Sequence, residues 1–204
     1  MEELVEKVVA PYEEILSEQV GKLCSPLHRM TLNEAPMDKL ITDAYQSFTG
    51  ADLAFSNGWR YGPPVLPGNI KVKELYQIIP ANPELFTLEL EGRELVNELE
   101  KNSENVFAPD PFNQKGGYIL RSSGLFMAFK PYNPAGNRIQ HIEVQGSPLQ
   151  SDKVYRIAGG GKQIFKAYDS RKGNKNVRAI ELLKEYFIQQ EKVRIEMKPT
   201  IISI

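Results

Sequence analysis

Arg60 stands in the turn Ser56-Asn57-Gly58-Trp59-Arg60-Tyr61-Gly62, directly after the apolar run Leu53-Ala54-Phe55. The run reads as a buried strand and Asn57-Gly58 as the turn that breaks it, so the spacing sets one guanidinium at a strand end. A guanidinium is a planar fork of donors that keeps its charge, which suits it to an oxyanion such as phosphate or a sulfur oxyacid. Gly58 lets a ligand approach the backbone, and Trp59 and Tyr61 supply aromatic walls. The competing reading is a structural arginine pairing a carboxylate across the loop, and the residues alone leave both open. A second run, Gly159-Gly160-Gly161-Lys162, offers backbone N–H groups that could form an anion nest. It is not a phosphate-binding Walker loop, which needs a hydroxyl after the lysine where this chain has Gln163. We read it as a strand-end loop lining the same cleft as Arg60, with a plain flexible turn as the alternative.

Other chemistries lack their parts. The two histidines, His28 and His141, are far apart and neither has a Cys, Asp or His partner at ligand spacing, so the chain supplies no metal site of its own. Two-metal hydrolysis needs a dense set of such ligands. Asp43 sits one step off an apolar stripe and reads as a solvated or loop-pairing carboxylate. Cys24 is the single cysteine, so no internal disulfide exists. With 25 Lys and Arg against 26 Asp and Glu and no basic run, nucleic acid is not an expected partner. No apolar run reaches membrane-spanning length, and Met1-Glu-Glu-Leu has none of the features of a signal peptide.

The elements that must position the turn follow from periodicity. Residues 2–20 carry an apolar stripe (Leu4, Val5, Val8, Val9, Tyr12, Ile15, Leu16) that Pro11 splits, predicting two short helices or one bent one, weakly tied to the core. Lys22-Leu-Cys24 reads as a short strand. A helix over 33–48 repeats Met37, Leu40, Ile41, Ala44, Tyr45 and Phe48 at three and four residues and stops at Gly50. Asn69 is placed to open a short helix holding Leu75, Tyr76 and Ile79. Leu85–Glu91 alternates as a strand, Gly92–Glu100 reads as a helix, and 101–117 as a long polar loop. Strands are expected over 118–121, 125–129, 138–144 and 154–158, pairing largely antiparallel, then a helix over 177–190 and a terminal strand over 194–204. At 204 residues one substantial core is expected, in an α+β fold with a mixed sheet flanked by helices.

Several of these stretches resemble one family, the C-terminal domain of 5′-nucleotidases. The match lies in Leu40-Ile-Thr-Asp-Ala-Tyr running through Thr49-Gly-Ala-Asp52 to Asn57-Gly-Trp-Arg60, in Leu75-Tyr76, the Pro80 loop, Leu88-Glu-Leu-Glu-Gly-Arg-Glu-Leu95, Gly116-Gly117 and Val154-Tyr-Arg-Ile-Ala158. The resemblance implies a substrate-recognition domain. Its partner is an N-terminal calcineurin-like metallophosphoesterase domain that carries two divalent metals. Residues 1–20 would be a linker helix from such an upstream domain and 21–204 the substrate-binding domain, with no cofactor of its own. The resemblance further implies a periplasmic or extracellular location and a role in nucleotide catabolism.

The departures from the family pattern bear on substrate. Nucleotidases carry Asn-Gly-Gly-Gly-Ile-Arg where this chain has the shorter Asn57-Gly-Trp-Arg60, and a Phe where it has Ala81. The aromatic pattern that holds a nucleoside is replaced by Ala158-Gly-Gly-Gly-Lys162. The segments Ser56–Gly62, Val65–Gly68 and Gln114–Gly117 are similar to the sulfur-oxidation thiosulfohydrolase branch, whose turn is Ser-Pro-Gly-x-Arg-Trp-Gly. The expected function is therefore oxyanion recognition for a two-metal hydrolase through Arg60, with Asn57, Gly58, Trp59, Tyr61 and Gly159 to Gly161 shaping the site. The alternatives are a thiosulfohydrolase-like domain for sulfur oxyanions and a non-catalytic module that binds a ligand or a protein.

Overall fold

The computed structural model describes residues 2–204 apart from Met30, Leu32, Asn33, Trp59, Arg60, Tyr61, Lys162 and Gln163. Pro11 divides the N-terminal stripe: α1 (Glu2–Val9) gives way to a 3₁₀ turn at Ala10–Tyr12 and a short α2 (Glu13–Ser17). Leu4, Val5, Val8, Tyr12 and Ile15 are exposed, while Leu16 reaches the core. The chain then enters β1 (Gln19–Leu23), and α3 (Pro36–Thr49) opens on a proline whose missing donor costs nothing at that position. Met37, Leu40, Ile41, Ala44 and Tyr45 are buried, but Phe48 is 42% exposed, so the packed stripe stops a turn early.

Strand β2 (Leu53–Ser56) follows, then β3 (Gly68–Lys71) and α4 (Val72–Ile78). Asn69, expected to open a helix, lies within β3, which pairs antiparallel with β1. The helix starts one residue after Lys71, whose N–H is taken by the Glu74 carboxylate at 2.8 Å. β4 (Glu84–Glu91) and α5 (Gly92–Phe107) form the expected strand-turn-helix unit, yet α5 runs past Glu100 into the predicted loop. Ser103 is buried there with its hydroxyl on the Leu99 carbonyl, and Val106 and Phe107 pack on the core, a stripe too sparse to read in polar sequence.

The remaining elements are β5 (Arg121–Ser123), β6 (Leu125–Phe129), β7 (Ile139–Val144), β8 (Ser147–Pro148), β9 (Val154–Gly160), β10 (Gly173–Arg178), α6 (Ala179–Gln190), β11 (Lys192–Val193) and β12 (Ile201–Ser203). They form no single meander. The central sheet has the order β10-β4-β9-β2-β5, with β2 and β9 parallel and the other pairs antiparallel. A second sheet, β12-β6-β7-β8, pairs β12 parallel to β6, and a third, β11-β1-β3, pairs β11 parallel to β1. The strand expected over 194–204 is reduced to β12, held partly by Glu34, whose carboxylate accepts from the Thr200 N–H at 2.7 Å. The fold is α+β with mixed sheets, as its sequence indicates.

On β2 and β9, the parallel pair of the central sheet, the side chains sort by size. Ala54, Ala158 and Leu85 face a core built with α3, α4, α6 and the three-stranded sheet. Leu53, Phe55, Ile157, Leu88 and Leu90 face the other core, with α5 and the four-stranded sheet. Small residues admit the helices closely on one side, and large ones fill the wider gap between sheets on the other. Because β2 and β9 run parallel with Phe55 opposite Gly159, the loops after both strands leave from the same sheet edge.

Gly50 has φ of 61° in the left-handed region and open space where a Cβ would stand. Gly50→Ala therefore meets conformational strain without a clash and should cost about 1–2 kcal/mol. A urea titration should show the midpoint lowered at unchanged slope, with Gly50→Asn intermediate.

Candidate functional site

At the edge where β2 ends, the turn is anchored by its two flanks. Trp59, Arg60 and Tyr61 lie outside the described residues, whereas Asn57, Gly58 and Gly62 are placed. Gly58 has φ of 66°, and a Cβ there would lie 3.1 Å from Arg121 Nε and 3.7 Å from the Tyr118 ring. Gly62 has φ of 109°, and a Cβ there would meet the Gln77 carbonyl at 2.7 Å and Arg29 Nη1 at 3.6 Å. Both glycines combine a left-handed backbone with close approach, so each end of the turn rests against a buried arginine.

One aspartate joins those two arginines. Asp38, in the first turn of α3, has Oδ1 3.3 Å from Arg29 Nε and Oδ2 3.9 Å from Arg121 Nε. Arg29 also donates to the Ile78 carbonyl at 2.5 Å, and Arg121 stacks over Tyr118 at 5.1 Å. Asp38 is 2% and Arg121 4% exposed, so these charges are held away from water. Burial pushes the Arg121 guanidinium below the ordinary arginine value, and Asp38, Glu34 and Tyr118 oppose that shift. A carboxylate in the first turn of a helix is further favoured by the positive end of the helix dipole. Sequence reasoning missed Arg29 and Asp38, which lie far from Arg121 in the chain. The one available signal was an acid beside Met37 on the face that also carries Ile41 and Tyr45.

Asp43 belongs to a separate network between α3 and β5. Its carboxylate accepts from Ser123 Oγ at 2.6 Å and pairs with Lys39, whose Nζ donates to Ser123 at 3.0 Å. Thr42 and Ser123 hydroxyls meet at 2.7 Å. The carboxylate is structural, the reading its position off the stripe supports.

The glycine run divides by role. Gly159 faces Phe86 on β4, and a Cβ would stand 2.6 Å from that ring; at Gly160 it would stand 2.5 Å from the Tyr45 hydroxyl and 3.0 Å from Pro83. Both therefore have a packing reason within the sheet. Gly161, at φ of 81°, gives its N–H to the Glu84 carbonyl at 2.9 Å, so that donor is engaged by the strand end. The Pro80–Pro83 loop abuts this run, and Ala81 is exposed on it. Loops 57–62 and 80–83 and the Gly161 corner thus share one edge, but they open into two recesses. Gly161 borders a recess of about 300 Å³ with Phe86, Asp169 and Lys172. Asn57 borders a cleft of about 440 Å³ between α5 and the Gly116-Gly117 segment.

Known proteins share the fold that carries these loops. The profile of the family described as 5′-nucleotidase, C-terminal domain, matches residues 19–162. The chain belongs to this family. As a 5′-nucleotidase C-terminal domain it is 23% identical over 175 residues to the trifunctional nucleotide phosphoesterase YfkN of Bacillus subtilis, covering 75% of this chain and 12% of that protein. Among solved structures it is similar to the Thermus thermophilus sulfate thiohydrolase SoxB, with TM-score 0.88 and 27% identity over 100% of this chain and 38% of that one. It superposes on a 5′-nucleotidase precursor of Thermus thermophilus with TM-score 0.84 and 21% identity, covering 100% of this chain and 43% of that one, which supports the fold. This 5′-nucleotidase C-terminal domain thus spans less than half the length of those relatives. Among the described residues no group of three or more His, Cys, Asp or Glu side chains could hold a metal, and no helix is long and apolar enough to cross a membrane.

Removing the charge that joins the two arginines should be costly. Asp38→Asn leaves two buried guanidiniums without their carboxylate, and about 3–5 kcal/mol of stability should be lost. Asp43→Asn, in the wetter network, should lose about 1 kcal/mol. Chemical denaturation of the two variants side by side measures the difference.

Proposed function

We propose that this domain recognises the oxyanion of a substrate for a 5′-nucleotidase-type two-metal hydrolase, with Arg60 as the anchor. The observation that carries the reading is the mounting of the Asn57–Gly62 turn. Both of its ends are seated on the buried Arg29–Asp38–Arg121 cluster, at the sheet edge where the loop after the parallel strand also emerges. A turn held at both ends can present a guanidinium with little freedom to lose on binding. Arg60 would donate two parallel hydrogen bonds to the anion, Trp59 and Tyr61 would wall it, and Gly161 would border the leaving-group side.

The residues of this chain bind and orient; they do not supply the metals. The described donors do not fit a two-metal centre, so we assign the metals and the attacking water to a calcineurin-like partner domain. By its family likeness the working enzyme would act in the periplasm or outside the cell. Ala81, exposed where nucleotidases have an aromatic residue, argues against tight stacking of a base. A second reading, a sulfur oxyanion as substrate, is favoured by the 27% identity to a sulfate thiohydrolase over the whole of this chain. A non-catalytic module that only holds its ligand is the third.

Trp59 is the only tryptophan, so its emission reports on the turn without interference. Phosphate, sulfate or thiosulfate should change it saturably, and added salt should weaken binding. Arg60→Ala should abolish the response and Arg60→Lys, which keeps charge without the planar fork, should retain part of it. An unaltered titration in Arg60→Ala would make the arginine structural. Residues 1–204 alone should not hydrolyse AMP, UDP-glucose or an aryl phosphate in the presence of manganese. Chelator-sensitive turnover that survives repurification would reject the division of labour.

A further inference from the structure

Besides Asn57, the cleft that this residue borders is built from three separate stretches, the outer face of α5, residues 115–118 with Leu120, and residues 164–167. Lys101, Lys115 and Lys166 project around it against one acid, Glu98, which is bound to Lys101 at 2.5 Å. Three ammonium groups to one carboxylate is a local excess of positive charge on a chain whose formal net charge is −1. Lys115, Lys166 and the Asn105 amide, which also borders the cleft, have no ion-pair or hydrogen-bond partner among the described residues.

The backbone around the cleft is arranged rather than left loose. Gly116 and Gly117 have φ of 75° and 99° with nothing near a would-be Cβ, so the path of the segment, and not lack of room, requires them. Asn102 on α5 fastens that segment by donating to the Tyr118 carbonyl at 3.2 Å and accepting from the Leu120 N–H at 3.0 Å. On the opposite wall Phe165 is in the left-handed region at φ of 52°, an unfavourable conformation for a bulky side chain. Its ring is held edge-on to Phe55 with centroids 5.2 Å apart. Phe55 in turn is two residues before Asn57 on β2, so the same strand supports the turn and the cleft wall. Strain of this kind persists only where the surroundings enforce it, and it collects at binding sites.

We propose that this cleft is a second anion subsite, taking the distal anionic group of a small elongated ligand whose first group lies at the Asn57–Gly62 turn. This rests on the reading of Arg60 as the anchor. The substrate class it selects is a molecule with two separated phosphate-like groups, rather than a lone monoester or simple oxyanion. Lys115 and Lys166 close over the distal group as point charges on flexible stems, which suits a variable chain better than a fixed fork would.

Calorimetry with orthophosphate and tripolyphosphate tests it. The wild type should bind tripolyphosphate more tightly by about tenfold, the effect of one added charge-assisted hydrogen bond. The double variant Lys115→Ala/Lys166→Ala should lose that advantage and keep its orthophosphate affinity. Lys198→Ala, exposed and outside the cleft, controls for general charge and should change neither. Lys115 and Lys166 are both exposed, so the double variant should keep the wild-type melting temperature. Tripolyphosphate that binds no tighter than orthophosphate, or an advantage that survives the double variant or is equally lost with Lys198→Ala, overturns the subsite. Arg60→Ala separates the two readings. If it leaves orthophosphate binding unchanged the anchor falls, while the lysine-dependent preference for tripolyphosphate still decides the cleft.

Discussion

The parallel pairing of β2 with β9 is the constraint on which the site depends. Two antiparallel neighbours would send their following loops to opposite edges, but here Ala54 lies opposite Ala158 and Phe55 opposite Gly159 in the same direction. Everything with binding character then falls at one rim: the arginine turn after β2, the glycine corner after β9 and the proline loop before β4. What packs over this pair demands small residues. Ala54 and Ala158 sit beneath α3, and Gly159 leaves room for the Phe86 ring, so the central strands can be covered tightly on both faces.

Around that rim the protein accepts an unfavourable electrostatic arrangement. A carboxylate and two guanidiniums taken out of water contribute little net stability compared with an apolar replacement, because desolvation offsets their attraction. Their value lies in direction. A hydrophobic plug would hold Gly58 and Gly62 by shape alone, whereas charged groups hold fixed distances to particular atoms. They also place a positive potential beneath the turn, the sign that the anion proposed for it would need, and Asp38 keeps the two arginines from repelling each other there.

Legibility followed the range of the interactions. The apolar run Leu53-Ala54-Phe55 and the stripe from Met37 to Tyr45 are local, and both elements stand where those patterns put them. The last turns of α5 were hidden because Ser103 substitutes for an apolar residue by bonding its own helix. Asn69 carried a helix-start signal that pairing with β1 overrode. Gly159 and Gly160 looked like anion-binding backbone in sequence, but their close contacts with Phe86 and Tyr45 come from residues far away in the chain. The same holds for Arg29, Asp38 and Arg121, which no window of sequence contains together.

The two outer sheets each recruit a late strand in parallel: β11 beside β1, and β12 beside β6. Parallel partners cannot be joined by a tight hairpin, so the missing neighbour must come from elsewhere in the chain. As the chain leaves the ribosome, β1 and β6 are therefore synthesised long before residues 192–203 can cover them. Until then each presents an unpaired edge, able to join another copy of the same chain as readily as its own later residues. The order of synthesis thus makes the interval before those residues appear the period of greatest risk of misassembly, and a reason for such a chain to need chaperone cover while it is made.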